Sequence, residues 1–326
     1  MLYRMNPITG LLATLAILNS GVVAIWGNAL RAARRIGGTP TPATDVRLPG
    51  VEHLAIGFVT NFFDTLGIGS FAQTTAWYKI RNLVNDRIIP GTLNVGHNVP
   101  TTVQTFIYTT LVQVDVTTLF SMIGASVAGA WLGAGVVAKW PKRKIQIGMG
   151  SLLLIAATLM FFSAGGPFFQ LTGSNVLPVG GDAIGVSGIK LAIAVVVNFV
   201  LGALMTLGIG IYAPCMITVY LLGMTPKAAF PIMMGSCGFL MPVAAIPFIR
   251  ENAYSVRAAL GLTFAGIPGV LIAAYLVGSA DINNVKWLVV LVVLYTAISM
   301  LRSAFKEASA IRQNQKLNSY RMGIEN

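Results

Sequence analysis

The amino-acid sequence predicts an all-α polytopic membrane protein built from two inverted-topology repeats. Each repeat is a glycine-broken re-entrant hairpin followed by three transmembrane helices, and an extra N-terminal helix precedes the pair. Three observations predict this. Of 326 residues, 55% are hydrophobic and only 10% charged, with apolar runs near the roughly 20 residues that span a bilayer. The pentapeptide Thr-Leu-Gly-Ile-Gly at 65–69 recurs letter for letter at 206–210, each copy interrupting an apolar stretch too long for one ordinary crossing. Basic residues flank the apolar segments in a pattern that single crossings would scatter.

Taken in order, residues 1–36 hold an N-terminal transmembrane helix whose apolar run, 7–30, is preceded by Arg4 and followed by Arg31, Arg34 and Arg35. That is the reverse of a signal peptide's basic start, so the helix is expected to stay as an anchor with its C-terminal end inside. Residues 37–50, with Pro40, Pro42 and Pro49, read as a linker. Repeat 1 covers 51–164, an external Gly-rich loop 165–188, repeat 2 189–305, and a basic cytoplasmic tail 306–326. The apolar segments within the repeats are 51–80, 88–111, 116–138 and 145–163, then 189–222, 228–249, 256–277 and 285–301. Pro90 and Pro231 share the 141-residue offset of the pentapeptides, and the Gly129 region meets the Gly269 region at nearly the same spacing.

Charge fixes the topology. The cluster Lys139, Lys142, Arg143 and Lys144 and the tail with Arg302, Lys306, Arg312, Lys316 and Arg321 are the strongest inside markers, yet five apolar segments lie between them. One segment must return to the side it entered, and 189–222 is the longest. Drawing it and its counterpart 51–80 as re-entrant hairpins puts 18 basic residues inside and leaves four outside, Arg4, Lys190, Lys227 and Lys286. Each repeat then has an odd number of spans, which inverts the second copy, as in secondary transporters with a midplane site.

The glycines carry the functional expectation. In lipid an unbroken helix satisfies its own backbone, so paired glycines at one place in both copies suggest backbone opened toward a cavity. Gly67 and Gly69 in repeat 1, and Gly208 and Gly210 in repeat 2, would let the next half-helix begin in mid-membrane and aim free N–H groups at an anion. Ser70, Gln73 and Thr74 would add donors in copy one, and Tyr212 and Ser236 complete the set from copy two. Both copies also fit G-x-G-x-x-A through Ala72 and Ala213, but the flanks are membrane-grade sequence rather than a βαβ unit, which excludes a dinucleotide fold. Gly129 and Gly133 are in G-x-x-x-G spacing and read as packing.

Asp64 lies in an apolar stretch just before the first glycine pair, with Met205 as its repeat counterpart. A buried acid there reads either as a proton carrier or as a cap on neighbouring N–H groups. The stretch 90–102 is too polar for lipid and is expected to face a cavity, with Asn94, His97, Asn98 and Thr101 as substrate contacts and His97 as the second proton-coupling candidate. Cys215 and Cys237 have no metal-ligand spacing and the two histidines, His53 and His97, are far apart, so no metal or other cofactor is expected. The net charge of +12 is dispersed over segment ends and forms no nucleic-acid footprint. No H-E-x-x-H or G-x-S-x-G is present, so no enzyme is expected, and without an ATP-binding motif the chain is not itself an ATP-driven pump.

The glycine-broken first segment of each copy, the junction Leu-Gly-Met-Thr-Pro-Lys-Ala-Ala at 222–229, the small-residue run after it and the Gly-rich helix with its basic loop resemble the TauE/SafE family of sulfite exporters and related permeases. The resemblance covers nearly all of 51–305. It implies a permease of a bacterial inner membrane that exports sulfite, a sulfonate or a similar small organosulfur anion without a cofactor, its C-terminus cytoplasmic. Two departures stand out. The family's run of three glycines is Gly-Ile-Gly here, and its downstream proline is Pro214 in copy two but Gln73 in copy one. The expected partners are a small anion and the lipid bilayer, with a homo-oligomer left open. A permease for another carboxylate-type anion and a non-transporting scaffold or assembly subunit are the rival classes.

Overall fold

The computed structural model describes residues 7–35, 41–137, 142–163, 181–205, 211–279, 287–288 and 290–305. Among them the fold is all-helical, with a single isolated bridge between Ala183 and Met224. The helices are α1 Pro7–Arg35, α2 Val51–Thr65, α3 Phe71–Arg81, α4 Ile89–Gly96, α5 Asn98–Leu111 and α6 Val116–Val137. They continue as α7 Lys142–Ser163, α8 Gly188–Met205, α9 Tyr212–Leu221, α10 Ala229–Arg250, α11 Val256–Gly278 and α12 Val290–Phe305. Four described stretches are long and apolar enough to cross a bilayer, Pro7–Arg35, Gly188–Met205, Pro226–Arg250 and Val256–Gly278. With apolar side chains such as Ile17, Trp131, Leu152 and Tyr275 turned outward, this is a multi-pass membrane protein.

The first glycine pair folds the chain back on itself. Gly67 and Gly69 have φ of +93° and +86°, a region that residues with a Cβ rarely adopt, and α2 ends there. The return is complete, because Arg81 at the end of α3 donates to Glu52 at the start of α2 at 2.7 Å. The same closure joins α8 and α9, where Lys190 Nζ donates to the Leu222 carbonyl at 3.1 Å. Leu222 is the repeat counterpart of Arg81 at the 141-residue offset. The second pentapeptide, with Gly208 and Gly210, lies outside the described residues, as do the tail 306–326 and the surroundings of Gly133.

One expected continuous helix is interrupted. The segment 88–111 divides at His97 into α4 and α5. Pro100 has no N–H to offer the Gly96 carbonyl four residues earlier, so the ladder opens there. Thr263 of α11 fills the gap, its hydroxyl donating to Gly96 O at 2.8 Å.

The two halves are held by reciprocal crossings, α2 against α11 and α6 against α8. A Cβ on Gly129 would collide with the Phe199 carbonyl, and one on Gly269 with the Phe58 carbonyl. Phe58 and Phe199 are repeat counterparts, as are Gly129 and Gly269. Likewise Gly202 abuts Ser126 while Gly266 abuts Asn61, the same pair with its partners exchanged. Contacts advance in one direction along both helices of each crossing, from Gly57–Gly261 to Asn61–Gly266 and from Asn198–Met122 to Gly202–Ser126. α1 lies outside these crossings, its Val22 and Trp26 packing with Ala245 and Ile249 of α10 and Val95 of α4.

Polar contacts define two ends. At one, Val256 N–H donates to Pro42 O at 3.0 Å and Arg257 to Leu48 O at 3.1 Å, beside the Arg81–Glu52 closure. At the other, Asp115 N–H donates to Ile184 O at 2.9 Å and Thr225 N–H to Ala183 O at 2.8 Å.

Because the crossings need backbone contact, Gly129→Ala is expected to destabilise the detergent-solubilised protein by about 1–3 kcal/mol. Gly124→Ala, whose Cβ would meet nothing within 4 Å, serves as the silent control. Thermal unfolding followed by helical circular dichroism checks both.

Candidate functional site

The break between α2 and α3 is the part of the molecule where groups from distant segments converge on one acid. Asp64, in the last turn of α2, is 2% exposed. Its Oδ2 accepts from Gln104 Nε2 of α5 at 3.0 Å and from the Tyr212 hydroxyl of α9 at 3.4 Å. Ser70, buried at the N-cap of α3, lies beside this carboxylate. The acid therefore lies at the positive end of the α3 half-helix, where a negative group is favoured. Gln104 Nε2 also donates to Thr65 Oγ1 at 2.9 Å, and the Tyr108 hydroxyl donates to the Thr65 carbonyl at 2.9 Å. Gly67 packs toward Met216 of α9 and Met233 of α10, so the first break touches the second half directly.

A donor count fixes how Gln104 is oriented. The Thr65 hydroxyl spends its hydrogen on Asn61 O at 2.7 Å, so it accepts from Gln104, and an ionised Asp64 only accepts. Both contacts require the amide nitrogen on that side. Gln104 Oε1 is consequently buried without a partner.

His97 forms a second cluster beside the first. Its Nδ1 is 2.9 Å from Asn61 Oδ1 and its Nε2 is 3.1 Å from Thr74 Oγ1. Asn61 Nδ2 is committed to the Gly57 carbonyl at 2.7 Å and reaches Leu262 O at 3.4 Å, which leaves Oδ1 as an acceptor. The hydrogen of the imidazole therefore sits on Nδ1. Thr74 has one hydrogen and two claims on it, the His97 ring and the Ser70 carbonyl at 2.8 Å. With neutral His97 it goes to Nε2; with a charged ring it returns to Ser70 O.

The residues singled out from sequence separate into groups. Asp64, Ser70 and Tyr212 share the first cluster, and His97 and Thr74 share the second. Asn98 and Thr101 are buried nearby on α5, and Asn98 Oδ1 lacks a partner. Asn94 turns back onto its own helix, donating to Pro90 O at 2.9 Å, and joins neither cluster. Gln73 is half-buried with Oε1 unpartnered. Ser236 accepts from Asn198 Nδ2 at 3.3 Å in a third cluster. The stretch 90–102, expected to face a cavity, is packed in this conformation against protein groups, its open carbonyl and imidazole met by α2, α3 and α11.

Asn61, Gln104, Tyr108 and Asn198 were not among the residues read from sequence. The signal existed for three of them. Asn61 precedes Asp64 by one turn, Gln104 follows His97 by two, and Tyr108 follows Thr101 by two, so all lie on faces already marked as polar. Asn198 sits alone in an apolar run, yet its Nδ2 donates to Met122 O at 2.7 Å, the counterpart of the Leu262 carbonyl that Asn61 reaches.

A cavity of about 430 Å³ opens between α5, α11 and the start of α10, lined by Tyr108, Lys227, Phe230 and Tyr275 among others. Tyr108 forms its inner wall and stacks on Phe230 with ring centroids 4.9 Å apart.

His97 and His53 are the only histidines, which makes the ring assignment measurable. In ¹⁵N-histidine-labelled His53→Gln protein, the single remaining imidazole is expected as the Nδ1–H tautomer at neutral pH. Asn61→Ala should release that tautomer and cost about 1–3 kcal/mol through the unpaired N–H.

Residues 190–324 match the family model described as sulfite exporter TauE/SafE. No curated protein and no solved structure matches the chain.

Proposed function

We propose that this multi-pass membrane protein, whose second half carries the TauE/SafE match, is a secondary permease that exports a small organosulfur or sulfur oxyanion such as sulfite or a sulfonate. The observation that carries this reading is the buried Asp64 carboxylate, held at a helix break by Gln104 from the first half and Tyr212 from the second. A scaffold has no use for an acid there, and intramembrane ionisable groups mark transport pathways. The substrate anion binds between the two Gly-Ile-Gly breaks, against the N-terminal turns of α3 and α9. Asp64 carries a coupling proton, and His97 is its nearest substitute.

The permease has inverted repeats with re-entrant hairpins. α2, with 15 residues, and α3, with 11, reach only about 22 Å and 16 Å, short of a bilayer core of about 30 Å. The Arg81–Glu52 and Lys190–Leu222 closures bring each hairpin's ends together, which offsets the fact that α8, at 18 residues, is long enough to cross alone. The two crossings, each with its helices running in one direction, suit arms that enter from opposite faces. The end bearing Arg81 and Arg257 is cytoplasmic, the end bearing Lys190 and Lys227 faces outward, and the protein resides in a bacterial inner membrane with its C-terminus inside.

Cysteine-accessibility labelling tests the topology. Substituted positions 142 and 257 should label from the inside and position 227 from the outside; inside labelling at 227 would remove the hairpins.

Transport tests the break itself. A Cβ on Gly69 would meet nothing within 4 Å, so the first side-chain atom of Gly69→Val is accommodated and its backbone is what is strained. Its φ of +86° makes the variant strained by about 1–2 kcal/mol, while Gly69→Asn tolerates the region better. Sulfite efflux from proteoliposomes should be lost in the first and partly kept in the second, with both proteins still folded. Full efflux in Gly69→Val would take the break out of the mechanism.

A further inference from the structure

We infer that the permease moves its anion together with a proton, in the same direction and one for one, so that a monovalent anion crosses as an electroneutral pair. The inference rests on the reading of the Asp64 cluster as the substrate site and adds the sign and stoichiometry of coupling.

The ionised carboxylate already occupies what a substrate anion would need. Gln104 Nε2 and the Tyr212 hydroxyl point at Asp64, and Ser70 at the head of α3 lies beside it. Among the described residues no lysine or arginine is near enough to balance a second negative charge, and His97 lies beyond Ser70 and Thr74. Besides Asp64, the charged side chains on α2, α3, α5, α9 and α10 are Glu52, Lys79, Arg81 and Arg250, all near helix ends. Lys79 is paired with Asp86 at 3.2 Å and Arg81 with Glu52. The other titratable groups facing the acid are Tyr108 of α5, Tyr212 of α9 and Cys237 of α10, none of them cationic. Two unit charges about 5 Å apart in such surroundings repel strongly enough to weaken anion binding on the order of a hundredfold. Ionised Asp64 and bound anion therefore exclude one another.

Protonation reverses each of these points. It removes the charge and frees the Tyr212 and Ser70 donors for the anion. The new carboxyl O–H needs an acceptor, and Gln104 Oε1, buried and unpartnered, supplies one after a half-turn of the amide, provided the Thr65 hydroxyl turns its hydrogen from Asn61 O to that same oxygen. One residue then serves both protonation states. In each cycle a proton from water on one side adds to the carboxylate, the anion binds, both cross, and the proton returns to water on the other side. The empty site returns with Asp64 ionised, so loaded and empty forms carry equal charge. An inward proton gradient opposes such export, which runs instead on the anion's own outward gradient.

The test uses full-length protein in proteoliposomes loaded with an internal pH dye, the voltage clamped with potassium and valinomycin. Methanesulfonate, a strong-acid monoanion that brings no proton of its own, and sulfite are the probes. Efflux of methanesulfonate should alkalinise the lumen by one proton per anion at a rate independent of the clamped voltage. In Asp64→Asn the proton movement should vanish and the residual flux should become voltage-driven. Anion efflux from the parent without alkalinisation, or with acidification, overturns the inference while leaving the permease intact. If neither probe moves, the substrate-site reading fails and the coupling falls with it. Should Asp64→Asn not fold, the proton count of the parent decides alone.

Discussion

Backbone polar groups inside a bilayer have no water to fall back on, and the architecture follows from how this chain meets that constraint where its helices open. At the first break the Gly67 N–H turns back to Asp64 O at 2.8 Å and the Ile68 N–H to Phe63 O at 3.1 Å. Carbonyls both at the breaks and within continuous helices also take side chains from other helices. Tyr108 serves Thr65 O, Thr263 serves Gly96 O, Thr105 serves Met234 O and Asn198 serves Met122 O. Three of these four bonds join one half of the sequence to the other. The opening at Gly96 in the first half is thus closed by a side chain of the second.

The same dependence explains the distribution of small residues. Gly235 and Gly238 on α10 take the places of larger side chains so that Ile123 of α6 and Thr105 of α5 can fill that space. The glycines of the crossings remove side chains where backbone meets backbone, a packing logic suited to lipid, which offers little hydrophobic drive between helices. The result is a rigid frame of paired crossings around a less regular centre, and the ionisable groups lie in that centre. Asp64 and His97 are separated by Ser70 and Thr74, whose hydroxyl and carbonyl groups link the state of each to the first turn of α3. A moving half-helix so connected would sense both groups.

The two repeats share a frame and differ in chemistry. Where copy one has Asp64, copy two has Met205, and where copy one has His97, copy two has Gly238. The carbonyl caps survive this divergence, Asn61 and Asn198 reaching corresponding carbonyls from non-equivalent positions. The frame constrains backbone geometry, which many side chains can satisfy, whereas a titrating group is needed only once per site.

Sequence alone determined the membrane class and the place of the first break, because composition and glycine's left-handed backbone are local properties. It also marked Asp64 and His97, since charge and polarity in apolar runs stand out without any fold. It did not reveal Asn61, Gln104 or Asn198 as partners, nor that Tyr212 reaches across 148 residues to Asp64. Hydrogen bonds between helices depend on which faces meet, and that is set by the crossings of α2 with α11 and α6 with α8. The split of 88–111 at His97 belongs to the same class. Pro100 weakens the helix there in any context, but the gap persists because Thr263, from the other half of the chain, satisfies the carbonyl it exposes.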